Sequence, residues 1–249
     1  MSYRFALSPD VHARDLSNWF VLNTRLQRAL GTAIHPVVFD DFADLHEAIA
    51  GGNVDIVYAN AADTALLLRR HGFSPLARAR QVADEALVAV AATSPIHALE
   101  ALPSRIRAAA TDAPDVERIC RILLEPADLG AADIDVIAKR NYVLVAKSVA
   151  IGESEVGFFL RQAFDELSDL TRGMLRPLIS SQIYVVSHCL LASERLAGFV
   201  PQILGALESM ADDPTVADLL LGLGAPRGWE RLTLEDAELM VDLMDTLES

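Results

Sequence analysis

The residues best placed to do chemistry stand where short apolar strands end and helices begin. Tyr58-Ala59-Asn60 closes one such strand, and a helix-like stretch starts at Ala61. The first amides of a helix have no partner within it, so they form a partial positive pole that suits an anion. Ser8, at the end of the first strand, can add a hydroxyl, Tyr58 a phenol, and Arg80 a full charge if it points inward. Each has a second reading. Ser8 and Asn60 can simply cap helices, Tyr58 can close a core, and Arg80 can be a solvated surface residue. His188-Cys189 juxtaposes imidazole and thiol, but neighbours on a strand face opposite ways and do not form one site. His188 alone can still line a cleft. His12, His35, His71 and His97 show no metal-ligand spacing, so no metal is expected. Gly-x-Gly-x-x-Gly, Walker and Gly-x-Ser-x-Gly signatures are missing, so no cofactor or catalytic constellation is expected either.

The elements that must position these residues are announced by a short pattern that occurs twice. Ala50-Gly-Gly-Asn-Val-Asp-Ile-Val-Tyr58 returns as Ala150-Ile-Gly-Glu-Ser-Glu-Val-Gly-Phe158. Gly52 answers Gly152, Asp55 answers Glu155, and Tyr58 answers Phe158. Each copy follows a helix-like stretch, turns at glycine, and enters an apolar strand that ends in an aromatic. The spacing predicts two similar α/β lobes. Ligands of open parallel sheets gather beyond the carboxyl ends of the strands, which sets Tyr58 and Phe158 across a shared cleft.

Composition bounds the function. The 249 residues are 52% apolar, enough for a sizeable core in one large domain or two ordinary lobes. Acidic residues exceed basic ones by 35 to 21, a net charge of −14. Such a surface repels phosphodiester backbones and anionic membranes, so no nucleic-acid partner is expected. No apolar run is long enough to span a bilayer, so no membrane insertion is expected. Two cysteines, Cys120 and Cys189, make no disulfide framework and read as buried apolar side chains. The chain opens directly on a strand without a leader-type stretch, which reads as cytoplasmic as it stands and periplasmic if a leader was removed.

In chain order, Tyr3–Leu7 reads as a strand, with Ser8 and Asp10 as capping candidates. A helix follows with Leu16, Trp19, Phe20, Leu22, Leu26 and Leu30 on one stripe, stopped by Gly31. His35–Phe39 is a strand, Asp41–Ala50 a helix, and Ala61–His71 a helix closed by Gly72. Three short βα units imply right-handed crossovers and a parallel sheet. The runs Leu76–Gln81 and Ala86–Ala92 carry the chain into lobe two. There Ile106–Ala110 and Ile134–Ile137 read as strands, and helices run from Pro114 to Leu124 and from Asn141 to Ala150. Leu175–Ile179 and Ile183–Ser187 read as return strands to lobe one. Helices are expected over Leu190–Met210, kinked or split at Pro201, then over Pro214–Leu223 and Leu234–Leu247.

This order resembles a type-2 periplasmic-binding-protein fold, and more specifically the phosphate/phosphite/phosphonate (PhnD-like) substrate-binding family of ABC transporters. The resemblance rests on Phe5-Ala-Leu-Ser-Pro9, Gly52-Asn-Val-Asp-Ile-Val-Tyr-Ala-Asn60, the echo Gly152-Glu-Ser-Glu-Val-Gly-Phe158, and the tail from Met210 through Gly224 with Trp229. It implies a two-lobe clamp that closes on a small anion held by helix N-termini. Family members show a Ser/Thr-rich, glycine-containing turn before the lobe-two helix; here the matching place reads Thr111-Asp112-Ala113-Pro114-Asp115. A carboxylate beside a bound dianion is costly in a desolvated cleft. Either the ligand differs, carrying an amine or being largely apolar, or Asp112 only caps its helix. Phe158, Phe159 and Phe164 can form an apolar wall or belong to the core of lobe two.

The expectation is therefore an α/β protein of two Rossmann-like lobes with mainly parallel sheets, joined by two crossover strands. Lobe one is 1–82 with 183–249, lobe two is 83–182, and the ligand cleft lies between them. The expected ligand contacts are Ser8, Tyr58, Ala59, Asn60, Arg80, Thr111, Asp112, Phe158, Phe159 and His188. The expected function is closure on a small phosphonate-like or related organic anion, with a transporter or signalling partner. The alternative is a cytoplasmic enzyme on the same fold, of the menaquinone- or thiamine-precursor type.

Overall fold

The structure is a computed structural model and describes residues 2–246. The chain opens with strand β1 (Ser2–Leu7), helix α1 (Leu16–Leu30), β2 (Ala33–Val38), α2 (Phe42–Ala50), β3 (Ile56–Ala59), α3 (Ala61–His71) and β4 (Ser74–Ala79). It continues through β5 (Ala86–Ala91), β6 (Ile106–Ala110), α4 (Pro114–Leu124), β7 (Ile134–Ala138), α5 (Tyr142–Ala150), β8 (Val156–Leu160), α6 (Arg161–Asp165), α7 (Asp169–Gly173) and β9 (Leu175–Ser180). It ends with β10 (Cys189–Ala192), α8 (Val200–Glu208), α9 (Ala217–Gly222), β11 (Trp229–Arg231) and α10 (Leu234–Thr246).

The chain divides into two compact units, one of Met1–Ala83 with Ser187–Met244, the other centred on Asp84–Val186. Unit one holds a sheet in the order β11-β4-β10-β3-β1-β2, unit two a sheet in the order β7-β6-β8-β5-β9. In unit one β1 pairs in parallel with β2 and β3, while β10 lies antiparallel between β3 and β4. In unit two β6 pairs in parallel with β7 and β8, while β5 lies antiparallel between β8 and β9. The architecture is the α/β class with mostly parallel sheets that the strand–helix alternation predicts.

Local sequence explains the elements. In α1 the apolar spacing buries Trp19, Leu22, Leu26 and Leu30 against β1, and Gly31 stops the helix in the left-handed region at φ 64°. Phe20 lies off that stripe and is exposed. The helix–turn–strand repeat is deeper than its short motif. Asp41 and Asn141 both cap their helices by accepting from the amide three residues on, and Gly52 and Gly152 both take positive φ at the turn. Asp55 then accepts from the Arg4 amide at 2.9 Å, as Glu155 does from the Arg107 amide at 2.7 Å. Each carboxylate ties the turn to the neighbouring parallel strand.

The second half departs from the sequence reading in three places. β9 stays in unit two, paired with β5, and Ile183–Ser187 forms no strand; the chain returns to unit one through β10. The stretch Leu190–Met210 is helical only from Glu194 onward, because Cys189–Ala192 is needed to fill the slot between β3 and β4. Pro201 sits in the first turn of α8, where its missing amide costs nothing, and the helical stretch is split just before it into a 3-10 helix (Glu194–Phe199) and α8. β11 was too short to show a period of two, yet it pairs with β4 and buries Trp229 completely. The expected helix end at Leu247 lies outside the described residues. Both cysteines are free and buried, and burial pushes the Cys120 thiol pKa up.

Candidate functional site

The site builds from the carboxyl ends of β1 and β3. Just past β1, the Ser8 amide donates to the Tyr58 carbonyl at 2.9 Å, which locks the two strand ends together. Just past β3, Asn60 is fully buried and caps α3, its Oδ1 accepting from the Asp63 amide at 2.9 Å. Its Nδ2 turns the other way and donates to Asp10 at 3.4 Å. From the antiparallel neighbour β10, where Cys189 stands opposite Ala59, the preceding His188 comes into the same place. His188 Nε2 lies 3.2 Å from each Asp10 oxygen, and its ring stacks on Tyr58 with centroids 5.2 Å apart. Tyr58 in turn leans on Trp19 at 4.2 Å and Trp229 at 6.3 Å.

Electrostatics at this spot are finely opposed. Burial alone would raise the Asp10 pKa, but attraction to His188 and donors on His188, Ser8 and Asn60 hold it below the ordinary aspartate value. The Ser8 hydroxyl is near enough to act on Asp10 yet forms no well-shaped hydrogen bond of its own. One turn into α3, Asp63 shows the reverse: burial lifts its pKa, against the opposing pull of His46 at 2.6 Å. Its second oxygen is buried without a partner.

Three buried hydroxyls in this region, on Ser8, Thr64 and Ser187, also make no hydrogen bond. Buried hydroxyls are normally satisfied, so three together are unused hydrogen-bonding capacity. Thr64 lies in the first turn of α3, an eleven-residue helix whose leading amides have no intrahelical partner, while Ser8 follows β1 and Ser187 precedes β10 with its amide donating to Met240 Sδ at 3.4 Å. The arrangement can hold a tetrahedral oxyanion with amide and hydroxyl donors.

The sequence candidates fall into three groups. Ser8, Tyr58, Ala59, Asn60 and His188 come together in unit one. Arg80 is exposed; its amide donates to the Gly228 carbonyl and its guanidinium reaches the Trp229 carbonyl at 3.5 Å, away from the Asp10 contacts. In unit two, Thr111 is half-buried and Asp112 exposed, and Asp112 does not cap α4, whose N-cap is Ala113 without a side-chain bond. Phe158 and Phe159 are both 0% exposed. Phe159 packs on Tyr142 and Phe164 in the core of unit two, so no aromatic wall faces solvent there. Asn60 fills the capping role considered for it and in addition donates to Asp10, whereas Ser8 and Asp10 cap no helix: α1 begins after Asp15.

Four participants escaped the sequence reading: Asp10 in its bond to His188, His46 with Asp63, Thr64, and Ser187. Only Thr64 carried a signal, four residues after Asn60 on the same helix face.

Comparison with known proteins now bears on this geometry. A family model described as ABC transporter, phosphonate, periplasmic substrate-binding protein matches residues 5–237. The chain belongs to that family. This binding protein is accordingly a substrate-binding component of an ABC transporter for small anions of the phosphonate kind. Among solved structures it is similar to PhnD1 from Prochlorococcus marinus in complex with methylphosphonate, at 11% identity and TM-score 0.84 over 99% of this chain and 98% of that one. It is also similar to a binding protein component of an ABC phosphonate transporter from Pseudomonas aeruginosa, at 14% identity and TM-score 0.76 over 100% and 89%. The periplasmic aliphatic sulphonate binding protein SsuA from Escherichia coli follows at 16% identity and TM-score 0.66 over 99% and 86%. At these identities the likeness concerns the fold. No curated protein sequence matches the chain. The enzymatic alternative finds no support in the family match, and no helix among the described residues is long and apolar enough to cross a membrane.

Proposed function

We propose that this binding protein takes a small phosphonate-type oxyanion at the end of the unit-one sheet, held by Ser8, Asn60 and the first turn of α3, with Tyr58 and His188 beside it. The observation that carries the reading is the buried Thr64 hydroxyl in the first turn of α3, which has no hydrogen-bond partner, together with the buried Ser8 hydroxyl beside Asp10. A ligand oxygen reaching them satisfies donors the fold has already desolvated, so that contact adds affinity without a further dehydration cost. Family membership supports the same ligand class, a periplasmic setting and delivery to a membrane permease.

A thermal-shift series with methylphosphonate, phosphate, sulfate and methanesulfonate tests it. A ligand at a hundred times its dissociation constant stabilises by about 2.7 kcal/mol. For a chain of this size that raises the melting temperature by roughly 5–10 °C. The Ser8→Ala and Thr64→Val variants should lose most of the shift while keeping the unliganded melting temperature. No shift from any of the four anions, or full shifts in both variants, overturns the assignment.

A further inference from the structure

We propose that this site captures a proton together with its anion: as the oxyanion settles at the start of α3, the pair of Asp63 and His46 behind that turn takes up one proton and loses its negative charge. The inference rests on the reading that the anion sits at the start of α3, and it names what else is bound when the site fills.

Asp63 is the third residue of α3, and its amide is the one that Asn60 caps at 2.9 Å. Its carboxylate therefore draws on the same positive helix pole that the anion would use. Before an anion arrives, that placement is favourable. With an oxyanion beside it, two like charges share one pole, and the repulsion is relieved when one of them is neutralised. Asp63 is the group able to yield. Its side chain is 3% exposed, His46 Nε2 reaches Oδ1 at 2.6 Å, and Oδ2 is buried with no hydrogen-bond partner. An ionised carboxylate has room for about four hydrogen bonds. Held by so few, and pushed by burial towards its neutral form, Asp63 is ready to take a proton.

His46 supplies the way in. Its side chain is 43% exposed on α2, so one imidazole touches both solvent and a carboxylate that solvent barely reaches. Imidazole exchanges protons near neutral pH. With a neutral ring the pair carries one negative charge. One further proton makes it neutral, and the two groups hold that proton as a unit. The proton comes from solvent, one O–H or N–H bond forms, and no other covalent bond changes. The other titratable groups that act on Asp63 are Asp10, in the loop after β1, and His188, just before β10; α3 itself carries no further charge before Arg69. Asp10 disfavours the ionised Asp63 and His188 favours it. Asp10 does not take the proton instead, because attraction to His188 and donors on His188, Ser8 and Asn60 keep it ionised. Two carboxylates beside one anion site are thus set to opposite tasks by their surroundings.

Calorimetric titration of the full chain with methylphosphonate, in two buffers of unlike ionisation heat, counts the protons taken up per anion. Methylphosphonate exchanges a proton of its own, and that contribution cancels in the difference between the unaltered protein and Asp63→Asn. The expected difference is up to one proton per anion, largest near neutral pH and vanishing in acid, where the pair is already protonated. Affinity should follow it. Asp63→Asn should bind about tenfold more tightly than the unaltered protein at about pH 8, and the two should converge at about pH 5. Equal proton uptake by the two proteins, or affinities that run parallel across pH, overturns the coupling and leaves the anion site standing. If methylphosphonate binds neither protein, the site assignment itself fails and the proposal with it. Should Asp63→Asn fold poorly, His46→Gln decides, since that side chain is half-exposed: a pH profile of proton uptake identical to the unaltered protein's overturns the proposal.

Discussion

Units one and two run the same local program for fifteen residues and then part. From the helix cap at Asp41 or Asn141, through the glycine turn, to the carboxylate that holds the next strand, the bonding matches residue for residue at an offset of one hundred. At the strand they diverge. Unit one places Val57 and Ala59 on one face of β3, both fully buried. Unit two places Gly157 and Phe159 at the same positions of β8, exchanging a middle-sized pair for a very small and a very large one. After the strand, Asn60 caps an eleven-residue helix, whereas Leu160 gives no side-chain cap to a five-residue one. The turn is generic to folding a βα unit, and the strand end is where a unit either keeps an anion pole or spends its space on core. Among the described residues, only unit one has a side-chain-capped eleven-residue helix at this place.

The largest test of that contrast is at Gly157. A Cβ there would sit 2.7 Å from the Phe159 ring and 2.9 Å from Val149. Gly157→Val, which copies unit one, should cost about 3 kcal/mol of stability by overpacking. If the exchange is truly between the two positions, Gly157→Val with Phe159→Ala should cost less than the sum of the singles, by about 1–3 kcal/mol. Urea unfolding of the four proteins measures it; strict additivity would mean the units differ for unrelated reasons.

Next comes the strand-tying carboxylate, alike in role and different in depth. Asp55 is 2% exposed and serves the Arg4 amide, the Arg195 guanidinium at 2.7 Å and the Ser193 hydroxyl at 3.5 Å. Asp55→Ala strands the part-buried Arg4 amide, removes the Arg195 pair and should cost about 2–3 kcal/mol.

These pairs show why the sequence was legible in some places and silent in others. Turns are local: Gly52 and Gly152 need positive φ, Asp41, Asn141 and Asn60 sit at caps, and all of this is written in adjacent residues. The strand and helix order follows, and with it the fold class. Pairings across the chain are not local. Nothing near Asp10 announces His188, 178 positions away, and nothing in His46 announces Asp63. Phe158 and Phe159 read equally as wall or core because a strand-end aromatic looks the same whether it meets solvent or core; both are buried. The site was half visible for the same reason: cap and strand ends could be read, but not what the sheet order brings beside them.

Asn60 gives a smaller effect on stability. Asn60→Ala removes the α3 cap and should cost about 1 kcal/mol, together with a donor to Asp10 and most of the methylphosphonate affinity. Leu160→Ala at the corresponding place of unit two removes no cap, and should leave anion binding unchanged in the same titration. Equal losses of binding in both would dissolve the difference between the strand ends.

The smallest effect is the most diagnostic of depth. Glu155 plays the part of Asp55 but is 29% exposed, and hydrogen bonding to Arg107 lowers its pKa below the ordinary glutamate value. A lowered carboxylate pKa stabilises the fold above the unfolded-state value, and that contribution is lost as pH falls through the lowered folded value. Glu155→Gln should therefore be slightly less stable than the unaltered protein near neutral pH in low salt. The difference should close on acidification, when both carry a neutral side chain, and should shrink with added sodium chloride because the partly solvated pair is screened. The Asp55→Ala deficit should shrink less with salt, since only its Arg195 pair is an interaction between charges and the lost bond to the Arg4 amide is not. Melting curves across pH and salt separate the two. If Glu155→Gln were salt-insensitive and as costly as Asp55→Ala, the two carboxylates would be equally buried in effect, and the shared turn would extend further into each unit than its exposure indicates.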